Sequence, residues 1–316
     1  MIYRCRETID SIDDELALSQ SSHRSHLGAS ILGHKCSRYL WLKFRWAVSE
    51  NFSGRMLRLF RFGQDYEEIV VKDLKAMGVN ILTQENGQQL RATFPETVHL
   101  SGSLDGLILD GLLESSEAHV LEIKTHNAKS FRRLVEKGVR ASKPMHFAQC
   151  QVYMHATGNI WTYYIAENKD TSERYTERIK YSKKVATDLV NKGFGIIFRE
   201  DMPDRMPYGP GCFECTYCTS SNYCWDQSTQ CQEVNCRTCA SFKVRTDNFT
   251  CKRHKRELSI GEQQMACESH IFIPSLIKAH LSGKDSGGYV YSVRGQEMIN
   301  GPGGLVGEDF INELHA

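Results

Sequence analysis

The sequence predicts an α/β fold in which a mixed central sheet is flanked by helices and followed by a cysteine-rich, metal-binding C-terminal part. Three observations predict it. Helical and strand-like patterns follow one another in the order helix, three strands, helix, strand, which suits a mixed sheet covered by helices. The stretch Ser101 to Thr125, SGSLDGLILDGLLESSEAHVLEIKT, sets Asp105 before one apolar run and ends a second in Glu122-Ile123-Lys124. Of the 12 cysteines, nine fall between Cys212 and Cys267 in short spacings.

At 316 residues the chain has room for one sizeable core and a smaller module, since domains usually run about 100 to 200 residues. Charged residues at 24% and hydrophobic ones at 41% are ordinary for a globular protein. No apolar run approaches the roughly 18 residues of a membrane span. The N-terminus MIYRCRETIDSIDDELALSQ is acidic and lacks an apolar signal core, so the reading is a cytoplasmic protein without a membrane partner. A net charge of +1 excludes a global polycation, and any nucleic-acid surface must come from local segregation. One candidate is Lys35, Arg38, Lys43, Arg45, Arg55, Arg58 and Arg61, interleaved with Tyr39, Trp41, Phe44, Trp46 and Phe60. Snorkelling arginines on an ordinary amphipathic helix explain each of them as well.

Residues 1–30 form a polar, peripheral segment with a short amphipathic piece at Ile12 to Leu18. Residues 31–226 form the main core, and 227–316 a small metal-binding module and tail. HKCSRYLWLKFRW reads as a helix carrying the isolated Cys36. Arg55 to Gly78 is a second helix, closed by glycine after its last apolar residue. Within it Glu67 shares a face with Gly63, Val70, Val71 and Leu74, whereas Glu68 pairs with Lys72 on the solvated side. Glu67 therefore faces inward, where a carboxylate needs a partner or a metal, and Gly63 leaves room there. Val79 to Thr83, Gln89 to Phe94 and the two runs around Asp105 and Glu122 read as strands. Helices follow at Ala128 to Gly138 and Met145 to Ala156, the latter presenting Gln149 and Tyr153 at i,i+4 and turning Gln151 away. Ile160 to Glu167 and Arg174 to Lys180 are strands and Val185 to Phe198 a helix. Helical pattern returns near Ser275 to Leu281, before glycine-rich turns.

Strand side chains repeat with period two, so Glu122 and Lys124 share a face while Ile123 points into the opposite layer. Asp105, Glu122 and the carbonyl of Ile123 can fix Mg²⁺ or Mn²⁺, hard ions that seek oxygen and keep several waters. Such an ion lowers the pKa of a bound water and stabilises charge on a phosphodiester, while the Lys124 ammonium orients that water. This is a hydrolytic phosphodiesterase site in outline, although Glu-x-Lys alone also occurs as an exposed cross-strand pair.

Gly63-x3-Glu67, Gly102-x2-Asp105-Gly106, Glu122-Ile123-Lys124-Thr125 and Gln149-x3-Tyr153, in this order, resemble the motifs of the PD-(D/E)xK nuclease superfamily. The likeness is to its RecB-like, Cas4-like and phage lambda-type exonuclease branches, and it spans roughly Gly33 to Cys224. It implies a restriction-endonuclease-like fold and a metal-dependent DNA exonuclease in phage or bacterial recombination and DNA end processing. Asp105 and Glu122 would be metal ligands, Lys124 the charge-stabilising group, Glu67 a further ligand or water contact, and Gln149 and Tyr153 lining residues near DNA. Leu104 stands where the motif has proline, which does no chemistry. The implied partners are DNA, as linear ends or single strands, with recombination, helicase or adaptation proteins. Competing functions are a non-catalytic nucleic-acid-binding adaptor that keeps the fold, and a structure-selective or single-strand endonuclease.

Clustered thiols in a chain without a signal peptide read as metal ligands more readily than as disulfides. Cys215-x2-Cys218-x5-Cys224 with the distant Cys36 is similar to the four thiolates that hold a [4Fe-4S] cluster in Cas4 and related nucleases, pinning the chain's end to its beginning. Four thiolates also suit zinc, and Cys212 can replace Cys215. The second cluster has zinc-knuckle spacing, and its expected structural Zn²⁺ ligands are Cys236, Cys239, Cys251 and Cys267. His270 is the first substitute and His254 the second.

Overall fold

A five-stranded mixed sheet carries the centre of the chain, of which residues 6–18, 23–50, 52–285 and 287–315 are described in a computed structural model. In order come α1 (Glu7–Leu18), β1 (Leu27–Gly28), α2 (Ser37–Phe44), α3 (Gly54–Ala76), β2 (Asn80–Leu82), β3 (Gln84–Glu85) and β4 (Gln88–Gln89). They are followed by β5 (Arg91–Phe94), β6 (Thr97–Ser103), β7 (Gly106–Asp110), β8 (His119–His126), α4 (Ala128–Ser142), α5 (Pro144–Thr157), β9 (Trp161–Asn168), β10 (Arg174–Lys180) and α6 (Lys183–Ile197). The sheet order is β10-β9-β8-β7-β2, with β8 and β9 parallel and the other pairs antiparallel. A parallel pair needs a crossover connection, which α4 and α5 supply. β5 and β6 lie outside this sheet. Their antiparallel pairing, with β1 added parallel to β6, makes a separate three-stranded sheet, so the run from Gln89 is a neighbour of the central strands and not one of them.

Alternation along β8 and β9 divides the core between two faces. Leu121, Ile123, Tyr163 and Ile165 pack with Tyr66 and Val70 of α3 on one side. Val120, Tyr164 and Ala166 join Cys150, Val152, Tyr153 and Met154 of α5 on the other. That larger core continues into the cysteine-rich part through Phe242, Phe249, Phe272, Tyr291 and Phe310. Arg237 is fully buried at the join, its guanidinium 3.8 Å from the Trp46 ring and 4.4 Å from Phe249. It donates to the carbonyls of Ser25 (2.7 Å) and Phe44 (2.9 Å) and to Gln263 Oε1 (2.8 Å).

The early basic and aromatic stretch splits between core and surface. Trp41, Phe44, Arg45 and Trp46 are buried, Lys35 pairs with Glu214, Lys43 with Glu50 and Arg58 with Asp13 of α1. What remains exposed is the N-terminal half of α3, with Arg55, Arg61, Phe60 and Phe62. The chain joins the core before Ser30, because Leu27 and Ala29 are buried beside β6. The helical pattern near Ser275 to Leu281 becomes a single 3-10 turn at Pro274–Leu276 and then a strand at His280–Asp285. The Lys278 amide, which a helix would use internally, donates instead to Gln230 Oε1. No described helix is long and apolar enough to cross a membrane.

Candidate active site

Asp105 lies between β6 and β7, and Glu122 and Lys124 alternate along β8 on the face toward α5. Asp105 Oδ2 accepts the Ile123 amide at 2.7 Å, which ties the first acidic residue to the second strand. Lys124 Nζ donates to the Ile123 carbonyl at 3.0 Å, lies 4.0 Å from Asp105 Oδ2 and pairs with Glu122 Oε1. The ammonium thus sits against the three oxygens that a hard cation would take. Glu122 is fully buried, and its Oε2 has no hydrogen-bond partner. An orphaned, buried carboxylate oxygen beside a second carboxylate and a free carbonyl lone pair fits a divalent ion.

Glu67 approaches from α3, near enough for Asp105 and Lys124 to act on its carboxyl electrostatically. Burial, then Asp105, raises Glu67 to about 7. Burial raises Glu122 to about 8 and lifts Asp105 above its ordinary value. Burial alone would lower Lys124, but Glu122 and Asp105 outweigh it and hold the ammonium's pKa well above normal. One positive charge cannot offset three negative ones in a buried site, so the cluster retains a proton near neutral pH. A Cβ on Gly63 would meet nothing; the turn before Glu67 is open whether or not its residue is glycine.

Gln149 and Tyr153 are buried on the α5 face that meets this cluster. Gly102 is what lets β6 approach them, since a Cβ there would stand 2.7 Å from the Tyr153 hydroxyl and ring edge. Gln151 points away, bonding the Lys180 carbonyl and the Ser182 amide. Three polar residues beside the site went unpicked in the sequence reading: His126, His146 and Tyr164. The same periodicities could have found them, since His126 continues the Glu122 and Lys124 face and His146 precedes Gln149 by three residues on α5.

The first cysteine set is brought together across the fold. Cys36, which precedes α2, lines one tight cavity with Cys215, Cys218 and Cys224, while Cys212 does not line it. In the second set Cys236, Cys239, Cys251, His254, Cys267 and His270 line a cavity of about 290 Å³. There Cys267 Sγ is 3.5 Å from His254 Nε2. His270 bonds Thr238 and the Asn235 carbonyl through Nε2, leaving Nδ1 buried without a partner. Among the described residues, no three His, Cys, Asp or Glu side chains already converge in metal-holding geometry.

Residues 19–159 match the family model described as the YqaJ-like viral recombinase domain. Among solved structures, the chain is similar to the alkaline exonuclease LHK-Exo from Laribacter hongkongensis at 16% identity, covering 59% of this chain and 89% of that one, with a TM-score of 0.41. The same exonuclease in complex with dAMP gives 17% identity, 54% and 86% coverage and a TM-score of 0.42. SSO0001 gives 18% identity, 68% and 93% coverage and a TM-score of 0.42. No curated protein matches the chain. The YqaJ-like match takes in α2 and, with α3, β8 and α5, the elements that carry Glu67, Glu122, Lys124, Gln149 and Tyr153.

Proposed function

We propose that the protein is a Mg²⁺- or Mn²⁺-dependent DNA exonuclease serving phage or bacterial recombination and DNA end processing. The observation that carries this reading is the convergence of Asp105, Glu122 and the Ile123 carbonyl on one point, with Lys124 against all three. Asp105, Glu122 and the Ile123 carbonyl would hold a divalent ion, which would supply Lewis-acid stabilisation of the phosphodiester and an acidified water. Lys124 would orient the attacking water and offset charge developing on the phosphoryl oxygens. Glu67, raised to about 7, accepts a proton near neutral pH more readily than an ordinary carboxylate. Gln149 and Tyr153 line the wall where the strand passes. The exposed half of α3, with Arg55, Arg61, Phe60 and Phe62, supplies cations for phosphates and rings for bases on the approach to Glu67.

The two cysteine cavities support metal cofactors of a structural kind. Cys36, Cys215, Cys218 and Cys224 suit a [4Fe-4S] cluster or Zn²⁺ that fastens residue 36 to the segment after α6. Cys236, Cys239, Cys251 and Cys267 suit a structural Zn²⁺. His270 Nδ1 is an available substitute, because its Nε2 is already held by a carbonyl as a metal-bound histidine requires.

Digestion of linear and covalently closed circular DNA, with either end labelled, tests the reading against Lys124→Ala. Degradation of linear DNA from one end, survival of circles and a loss of about 10²-fold or more in the variant are expected. Cleavage of closed circles removes the exonuclease assignment, and no cleavage by metal-replete protein removes the nuclease reading. Metal analysis and the visible spectrum of anaerobically purified protein separate iron–sulfur from zinc.

A further inference from the structure

His126 and His146 stack beside the catalytic face, with ring centroids 5.6 Å apart and planes 18° from parallel. His126 lies one strand repeat beyond Lys124, and His146 lies one and two helical turns before Gln149 and Tyr153. Tyr164, the register partner of Glu122 on β9, joins the two imidazoles. Its hydroxyl is 2.8 Å from His146 Nδ1 and 3.3 Å from His126 Nε2. On the far side His126 Nδ1 is 3.4 Å from Ser130 Oγ, which in turn meets Lys143 Nζ.

The chemistry of the end group allows one consistent direction along this chain. An ammonium only donates, so Ser130 accepts from Lys143 and its own proton is free to turn to His126 Nδ1. His126 then carries its proton on Nε2 and gives it to the Tyr164 oxygen. Tyr164 has one proton, which it gives to His146 Nδ1. In that direction the proton of His146 is on Nε2, for which no described residue is a partner. Burial and the nearby lysines 143, 124 and 169 bring His126 to about 4, and burial with Lys124 holds His146 well below its ordinary value. Both rings are thus neutral at pH 7, with the one donor and one acceptor apiece that such a chain needs.

We propose that Lys143, Ser130, His126, Tyr164 and His146 form a directional proton relay, and that His146 Nε2–H protonates the leaving 3′ oxygen of the scissile phosphodiester. The identity of the acceptor rests on the nuclease reading above. As the P–O3′ bond breaks, its electron pair stays on the 3′ oxygen, which takes the His146 Nε2 proton. His146 Nδ1 takes the proton of Tyr164, Tyr164 that of His126 Nε2, His126 Nδ1 that of Ser130, and Ser130 one from Lys143. Lys143 is left as a neutral amine and is recharged from water. His146 is the group that meets substrate; Tyr164, His126 and Ser130 position and resupply it.

Two measurements test this on the full chain. Long-range ¹H–¹⁵N spectra of histidine-labelled protein read the tautomers without any turnover, and Nε2–H is expected at both His126 and His146. Cleavage of an ordinary phosphodiester is then compared with a bridging 3′-phosphorothiolate, whose thiolate leaves without a proton, in Mn²⁺. His146→Ala should slow the oxygen substrate by about 10²-fold or more and leave the sulfur substrate near the wild-type rate. Tyr164→Phe, which keeps the ring in the core, should show the same split with a smaller loss. Equal losses on both substrates, or an Nδ1–H tautomer at either histidine, overturn the relay and leave the nuclease reading standing. Wild-type protein that cuts neither substrate overturns the nuclease reading itself.

Discussion

Replacing Glu122 with glutamine should make the protein more stable at alkaline pH, and the reason lies in how few partners this carboxyl has. Its side chain is fully buried, with Lys124 as its one ion-pair partner among the described residues, and burial raises it from 4.5 to about 8. A carboxyl whose folded-state pKa exceeds its unfolded value stabilises the fold fully below the unfolded pKa. That contribution is lost as pH rises through the folded pKa, so the window here runs from about 4.5 to about 8. One extra proton held by the folded state gives a slope of about 1.4 kcal/mol per pH unit. Between pH 5 and 7 that amounts to roughly 2–3 kcal/mol. At roughly 2–4 °C per kcal/mol for chains somewhat shorter than this one, Glu122 alone should lower the wild-type Tm by roughly 5–10 °C over those two units. Glu67, raised from 4.5 to about 7, adds a like slope over a narrower window, and the variant keeps it. Calorimetry of wild type and Glu122→Gln in Mg²⁺-free buffer from pH 5 to 8 measures both. The variant should show the shallower slope and the higher Tm at pH 8, and Mg²⁺ should raise the wild-type Tm most at the alkaline end. A wild-type Tm that is flat or rises with pH, or a variant with the wild-type slope, refutes the account of Glu122 as a buried acid that Lys124 only partly compensates.

Gly102→Ala should push on Tyr153, whose ring edge is 2.7 Å from the added Cβ, costing about 1–3 kcal/mol by overpacking; denaturant melts and kcat should fall together. Arg237→Lys should destabilise by about 3 kcal/mol or more, close to the alanine variant, because an ammonium cannot reproduce three divergent hydrogen bonds and a stacked plane. Urea unfolding of the two variants reads this directly. Paired Arg55→Ala and Arg61→Ala changes should weaken duplex binding and flatten the salt dependence by about one logarithmic unit for each phosphate contact removed. Phe60→Ala, which removes a ring that is 44% exposed, should lower single-strand affinity by about 1–3 kcal/mol without moving that slope; fluorescence anisotropy at several salt concentrations separates the two.

The residues that sequence reading located were those governed by short-range periodicity. Glu122 and Lys124 follow from alternation on one strand, and Glu67, Gln149 and Tyr153 from helical phase, so their faces were legible before any fold was known. What periodicity could not supply was which early cations remain free. Arg45 and Trp41 have the composition of a nucleic-acid patch, yet Arg45 turns inward to the Arg199 carbonyl and stacks on Trp41 and Phe242. Local composition does not encode a partner more than 150 residues away. The tail failed for a related reason: the helical pattern from Ser275 is outcompeted by Gln230, whose side chain takes the Lys278 amide.

The cysteine-rich part is more than an appendage to the site, and the hydrogen bonds say how. His99 of β6 bonds the carbonyl of Arg245 at 2.8 Å, and its ring stacks on Phe249. Phe249 begins the strand that ends in Cys251, while Arg237, between Cys236 and Cys239, holds Ser25 and Phe44. β6 then runs from His99 through Gly102, against Tyr153, toward Asp105. A metal held by Cys236, Cys239 and Cys251, as proposed above, would fix the far end of the strand that leads to Asp105. A loosened cluster would act on the site through β6 and Gly102, lowering turnover by misplacing Asp105 relative to the Ile123 amide while leaving the chemistry of Lys124 untouched.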